Sequence, residues 1–490
     1  MLVDELIYQI RQDFHLPPTQ GQDDVMHTFA RFVCDRHSHV AMILRGSAGT
    51  GKTTLAAAIV RTMLRLEQKV ILLAPTGRAA KVFASYAGTQ ASTIHRKIYV
   101  QRTFDSGGGT FQLNYNKHRD TLFIIDESSM ISNQYSGSPF GSGCLLDDLM
   151  SYIYQGENCR AMFIGDNAQL PPVGEEESPA LATSFIESYG MTVYEGDLTE
   201  VLRQEQESGI LWNATRIRES RVESGGSLTP NPSPQGEGNI AVESGGSLSV
   251  DFGFPDIHRV PGNELIEQLT TSYQQVGMDE TIVITRSNKL AKIYNLGIRN
   301  TILDREEELC RGDRLMVVKN KYMVESGGSR VDSGGGTLDF IANGDIAIVQ
   351  RVRNVRELYG FRFADVTLSF PDYDDAELQQ IVILDTLQTE APALTREQQE
   401  QLYLAVMEDY ADIPYKRERI KKIKEDPYYN ALQVKYAYAV TCHKAQGGQW
   451  SHVYVDQGYV TKEMMGEDYY HWLYTALTRA TEQLFLVNWK

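Results

Sequence analysis

The sequence predicts an α/β protein built on two parallel-sheet blocks, and three observations carry that reading. Short runs that are apolar throughout alternate with helical stretches at both ends of the chain. One glycine-rich turn, "RGSAGTGKTTL", sits where such a run passes into a helix. β-rich material without that alternation interrupts the rhythm twice. Strands that are apolar on both faces and separated by helices belong to parallel sheets covered on both sides.

The first block, residues 1–195, opens with a helical segment and continues through "HVAMIL", "TTLAAAIVRTMLRL", "KVILLAP", "TGRAAKVFASY", "TLFIID", "LLDDLMSYIY" and "AMFIGD". A hairpin insert falls at about 96–120, where "KIYVQRTFDSGGGTFQLNYN" reads as two strands joined by a glycine-rich tip. Residues 196–345 begin the second block, with "TIVITR" and "KLAKIYNLGIRNTIL". Between 346 and 430 the alternation fades. "IAIVQRVRN" and "FRFADVTLSF" predict antiparallel strands, and "KRERIKKIKEDP" predicts a helix. Residues 431–490 return to the second block through "AYAVTCHKAQG", "HVYVDQG", "WLYTALTRA" and "QLFLV".

A short repeat decorates this plan. "VESGGS" occurs at Val222, Val242 and Val324, with variants at Asp105 and Val331. Around the first two lies "LTPNPSPQGEG", too rich in Gly, Ser, Pro and Asn to bury a core, so residues 222–249 read as a flexible surface excursion. Added length costs little at such loops.

Composition narrows the function. No run of about 18 apolar residues suggests a membrane span, and the acidic, helical start lacks the features of a secretory leader. The five cysteines show no CxxC pairing, which favours a reducing cytoplasm over a disulfide framework or zinc site. The formal net charge of −17 argues against coating of a duplex but leaves open a narrow single-strand channel, which needs only local donors.

Gly46 to Thr53 satisfies GxxxxGK[ST] between strand and helix. Its glycines let backbone N–H groups turn onto phosphate oxygens, and the helix start adds partial positive charge. Gly49, Thr50, Gly51, Lys52, Thr53 and Thr54 thus form an ATP site, with Lys52 on the β- and γ-phosphates and the Thr53 hydroxyl on Mg2+. "TLFIIDESS" adds the acidic strand end that such a loop requires. Asp126 holds the metal there, and Glu127 orients and deprotonates water. "FIGDNAQLPPVG" places Gln169 at a strand-end loop, where an amide can sense the γ-phosphate or the attacking water.

With that third motif the chain resembles superfamily 1 helicases, specifically the RecD-like and Dda-like branch. "APTGRAAK", "STIH", "LTEVLRQ", "AYAVTCHKAQG" and "LYTALTRA" follow in the family's order. The resemblance implies two RecA-like domains, the hairpin in the first and an SH3-like domain within the second. It implies that Gln22 in "PTQGQDD" reads the adenine edge, with Gln20 a close competitor. It also makes Arg203 and Arg479 the arginines that reach the γ-phosphate. Pro75, Thr76, Thr93, His95, Thr441, His443 and Lys444 fall where relatives touch a DNA strand, although Thr93 and His95 also suit the capping of a turn. Gln449 stands where relatives carry glutamate, which puts a ribose contact there in doubt. The implied activity is a DNA-dependent ATPase moving 5′→3′ on single strands and opening forked duplexes. It would act as a monomer, with repair or replication proteins as partners. A translocase that displaces proteins without unwinding, and a RecD-like subunit of a recombination nuclease, are the alternatives. The hairpin is the natural wedge; Tyr99, Phe104, Phe111 and Tyr115 either stack on bases or pack on their own domain. "KRERIKKIKE" either meets the DNA backbone or is a solvated face.

Overall fold

Val40–Gly46 shows how the first domain is built. All five residues from Val40 to Leu44 are buried, and they alternate in what they touch. Val40, Met42 and Leu44 join the core under the N-terminal helices, while Ala41 and Ile43 join the core on the opposite face. A strand with two apolar faces needs cover on both, and the chain supplies it. The helices Leu2–Phe14, Gln20–Cys34 and Lys52–Arg65 pack on one side and Leu145–Gln155 on the other. The sheet has six strands, all parallel, in the order Ala91–Thr93, Lys69–Ala74, Thr121–Ile125, Arg160–Gly165, Val40–Gly46, Thr192–Leu198. The computed structural model describes residues 2–101, 111–135, 140–201, 208–223, 250–322 and 340–489. Arg203, the hairpin tip with Phe104, the excursion beyond Glu223, and the repeats at Asp105, Val324 and Val331 lie outside them.

The second domain repeats the plan with five parallel strands, ordered Ala439–Thr441, Thr281–Thr285, Trp450–Asp456, Ala480–Val487, Ile257–Val260. A closed barrel interrupts it, formed by Arg314–Val317, Ile346–Leu358, Phe361–Phe370, Ala376–Ile383 and Leu432–Tyr436. Its first and last strands flank the 346–430 segment, and its core runs into the second domain's: Val349, Ala364 and Leu368 share one apolar cluster with Val283, Tyr454 and Phe485. The predicted basic helix forms at Lys416–Glu425 and packs with Arg396–Asp409 beside the barrel.

The hairpin strands are short, Tyr99–Gln101 against Phe111–Leu113. Tyr99 and Phe111 are buried, which decides between the two expectations for them. Phe111 stacks on Phe140 at 4.8 Å, and the Tyr99 hydroxyl donates to Asp148 at 2.7 Å. Both anchor the hairpin base to its own domain, while Tyr115 is 64% exposed. Among the described residues, no helix is long and apolar enough to cross a membrane.

Candidate active site

The phosphate loop joins Val40–Gly46 to the helix Lys52–Arg65. Gly49 and Gly51 adopt φ of 75° and 78°, a region that side-chain-bearing residues enter at a cost. Gly51 occupies the N-cap and contributes no side-chain hydrogen bond, so the first N–H groups of the helix face outward from its positive end. Lys52 Nζ donates to the carbonyls of Gly46 and, at 3.1 Å, Ser47. Thr50 is buried and its hydroxyl donates to Ser47 O at 2.8 Å; Thr53 is half-buried and Thr54 exposed. Gln22 is almost fully buried beside the loop. Its amide closes a capping box with Thr19 and donates to Thr50 O at 3.1 Å. The glutamine is therefore fastened to the phosphate loop through the protein's own groups.

Asp126 and Glu127 emerge where Thr121–Ile125 ends. Glu127 has φ 50°, a left-handed conformation for a residue with a side chain, and such strain is held where geometry serves chemistry. The Asp126 carboxylate accepts the Glu127 N–H at 2.9 Å. Burial, and then the charge of Glu127, push the Asp126 carboxyl upward, with Lys52 partly opposing. Two adjacent acids facing one ammonium are under-compensated. These carboxylates and the Thr53 hydroxyl are hard oxygen donors, the chemistry that suits Mg2+. Gln169 is buried, and among the described residues its Oε1 has no hydrogen-bond partner. A buried orphan acceptor is costly unless something else satisfies it, such as a water presented for attack.

The second domain meets this cleft through the helix Glu467–Leu477. His471, Tyr474 and Thr475 fall on one face of it at helical spacing. The His471 ring bonds Ala168 O at 2.9 Å, and Thr475 Oγ1 accepts the Leu170 N–H at 2.8 Å. Tyr474 OH accepts the Ala48 N–H of the phosphate loop at 2.8 Å and donates to Asp166 at 2.7 Å. Gln446 donates to Leu170 O at 2.7 Å. These four residues clamp the Gln169 loop and the phosphate loop to the second domain. Sequence reasoning missed them, although three polar residues at helical spacing in the apolar "YHWLYTAL" were a readable signal. Arg479 follows directly and is 3% exposed. Its guanidinium donates to Thr475 O, Gly448 O and Thr478 Oγ1 at 3.1, 3.2 and 3.3 Å, all neutral acceptors.

The strand-contacting candidates gather around the same interdomain seam. Pro75 and Thr76 end Lys69–Ala74, and Thr76 caps the helix Gly77–Ala87 by accepting the Ala79 N–H. Across the seam lies Gly447. A Cβ there would come within 3.3 Å of Thr76 Oγ1 and 3.0 Å of Ala79 Cβ, so the "HKAQG" loop and the "APTGRAAK" loop touch. Thr441 starts the short helix Cys442–Ala445 without making a side-chain cap; His443 is exposed, and Lys444 Nζ donates to Asn343. Arg78 adds a bond the sequence did not suggest, from its guanidinium to Gln449 O at 2.7 Å. Thr93 is buried and caps the helix Ile94–Ile98. The His95 ring packs against Phe140 and Tyr99 at 5.3 and 5.7 Å, and burial lowers its pKa to about 4. At neutral pH it brings no positive charge to a phosphate.

The chain is also similar to known proteins. Residues 19–228 match the model of an AAA domain, and residues 436–487 that of a UvrD-like helicase C-terminal domain. The chain is 29% identical over 206 residues to the ATP-dependent DNA helicase dda of Enterobacteria phage T4, a match covering 41% of this chain and 43% of that protein. An uncharacterised protein of Acanthamoeba polyphaga mimivirus is 23% identical over 513 residues, covering 92% of this chain and 96% of its own length. The ATP-dependent RecD2 DNA helicase of Deinococcus radiodurans is 32% identical over 138 residues, 28% of this chain and 16% of the relative. The Bacteroides Pif1 helicase, solved with ADP-AlF3 and ssDNA, aligns over 97% of this chain and 93% of its own at TM-score 0.46 and 15% identity. The matches to the phage and Deinococcus helicases thus span less than half of those proteins.

Proposed function

Because the chain belongs to the RecD-like and Dda-like branch of the superfamily 1 helicases, we propose that it is an ATP-dependent DNA helicase moving 5′→3′ along single strands and opening forked duplexes. One observation supports this above the others. The phosphate loop of the first domain is hydrogen-bonded through Tyr474 to the helix of the second that precedes Arg479, so both domains border one cleft.

In this reading the cleft divides its labour. Lys52 and the N–H groups of residues 49–54 hold the phosphates of ATP. Glu127 takes the proton of the attacking water, and the orphan acceptor of Gln169 receives that water's hydrogen bond. Mg2+, held by Thr53 and Asp126, would polarise the phosphoryl oxygens. Arg479, with Arg203, meets the charge that spreads over the γ-phosphate as its bond breaks. ATP contacts groups of both domains and so favours their closed arrangement, which hydrolysis releases. Thr76 and the "HKAQG" loop, which touch across the seam, then shift their grip on the DNA backbone relative to each other. One chain supplies both walls of the cleft, so the motor works as a monomer. Its five cysteines are all unpaired, in keeping with the cytoplasm. Repair or replication proteins are its natural companions.

The test is strand release from forked duplexes carrying either a 5′ or a 3′ tail. Unwinding should require the 5′ tail and ATP, and Lys52→Ala should fold normally yet lose DNA-stimulated hydrolysis and strand release together. A wild-type chain without DNA-stimulated ATPase activity would refute the reading.

A further inference from the structure

The cleft holds one cation that no motif assigns. Arg218 lies on the helix Gly209–Glu223, which packs against Glu467–Leu477 of the second domain. Its Nη1 crosses to the first domain and donates to the Ser47 hydroxyl. On the same residue, Lys52 Nζ rests against the Ser47 carbonyl at 3.1 Å. Two cations from opposite domains therefore converge on one residue of the phosphate loop. Both donate only to neutral oxygens, and among the described residues neither forms a direct ion pair, although Asp126 lies close enough to feel the charge of Lys52. Like charges gathered this way repel unless an anion joins them.

The surroundings fix this arrangement. Tyr474 ties the next loop residue, Ala48, to the helix against which the Arg218 helix packs. Arg218 is therefore held at the loop by the body of the second domain. It also differs from Arg479. Arg479 is buried and held by three oxygens of its own domain, whereas Arg218 is half-buried and rests on a single hydroxyl across the cleft. Exchanging one neutral hydroxyl for a phosphate oxygen gains a charge-assisted bond, and the planar guanidinium matches that acceptor.

We propose that Arg218 is a further phosphate-directed arginine, which leaves Ser47 to bind the terminal phosphate of a nucleoside triphosphate and so distinguishes triphosphate from diphosphate. The proposal rests on reading the cleft as an ATPase site. A mere tether between domains would affect both nucleotides alike, and that difference makes the test decisive.

The experiment titrates the full chain, with Mg2+, against fluorescent ADP and a fluorescent non-hydrolysable ATP analogue. Arg218→Ala should weaken the triphosphate analogue by about 10- to 100-fold, the worth of one hydrogen bond to a charged group, and change ADP by less than about threefold. Arg218→Lys should recover part of the loss, because it keeps the charge without the fork. It also keeps the test open should the alanine variant unfold on thermal melting. Equal weakening of both nucleotides, or no change in either, overturns the assignment while leaving the ATPase reading intact. Failure of the wild-type chain to bind either nucleotide overturns both.

Discussion

Two buried arginines of the second domain are treated in opposite ways. Arg299, 2% exposed, donates from Nε and Nη2 to Asp313 at 2.9 and 3.0 Å, and Asp313 is wholly buried. Arg305 and the Tyr438 hydroxyl complete that carboxylate's shell. Burial pushes the Asp313 carboxyl up, but the bonds from Arg299, the Cys310 N–H and Arg305 outweigh it and bring it below the usual range. Arg479 is equally buried and meets only neutral oxygens. The first arginine is neutralised within the fold; the second, among the described residues, meets no carboxylate. A buried cation without a counter-charge is expensive, and the phosphate of the proposed nucleotide would supply one.

Mutation of each region can break this contrast. The largest effect is expected at Arg479. Arg479→Ala should lower the ATPase kcat by about 10³-fold or more while the thermal midpoint stays near wild type. An equal loss of stability with little loss of rate would make Arg479 structural and dissolve the distinction. Next comes Asp313→Asn, which strands two guanidiniums. It should cost about 3–5 kcal/mol in denaturant unfolding, yet leave kcat per folded molecule unchanged.

A third site sharpens the comparison, because there a buried carboxyl has hydrogen-bond donors but, among the described residues, no cation paired with it. Asp345 is buried where the barrel meets the helix Gly77–Ala87, and accepts bonds from the Ala342 N–H and Tyr373 OH at 2.6 and 2.8 Å. Burial first, with the nearby Asp372 adding, pushes its pKa up from 3.8 to about 7. The protonated form is thus the stable one in the fold. Below pH 4 the group is neutral folded or unfolded and has no effect. From there to about 7 the unfolded chain ionises first, and stability falls as pH rises, by up to roughly 4 kcal/mol. Asp345→Asn should flatten that slope, with a larger gain in thermal midpoint at pH 8 than at pH 5. An equal gain at both pH values would show that the carboxyl is ionised throughout.

Much of this architecture was legible because the relevant signals are local. Apolar strands predicted both sheets, and the spacing from Gly46 to Thr53 predicted a strand, a tight loop and a helix start, since those glycines have few other uses. The antiparallel character of "IAIVQRVRN" and "FRFADVTLSF" was equally readable. Their closure into a barrel was not, because Arg314–Val317 and Leu432–Tyr436 complete it from distant sequence. The hairpin aromatics were ambiguous for a related reason: an aromatic suits a base and a core equally, and only Phe140, contributed from beyond the hairpin, decided that Phe111 stacks within the domain.

The sequence by itself determined which chemical groups are present and which strand or helix end carries each, because backbone preference and hydrophobic period act over a few residues. Tertiary structure decided which of those groups meet. Tyr474 reaches Ala48 across 426 residues, Arg218 reaches Ser47 across 171 and Gly447 lies against Thr76, because the helices and loops of two domains meet at one cleft. Packing also decided which charges are cancelled, since desolvation and counter-charge depend on what surrounds a residue in space.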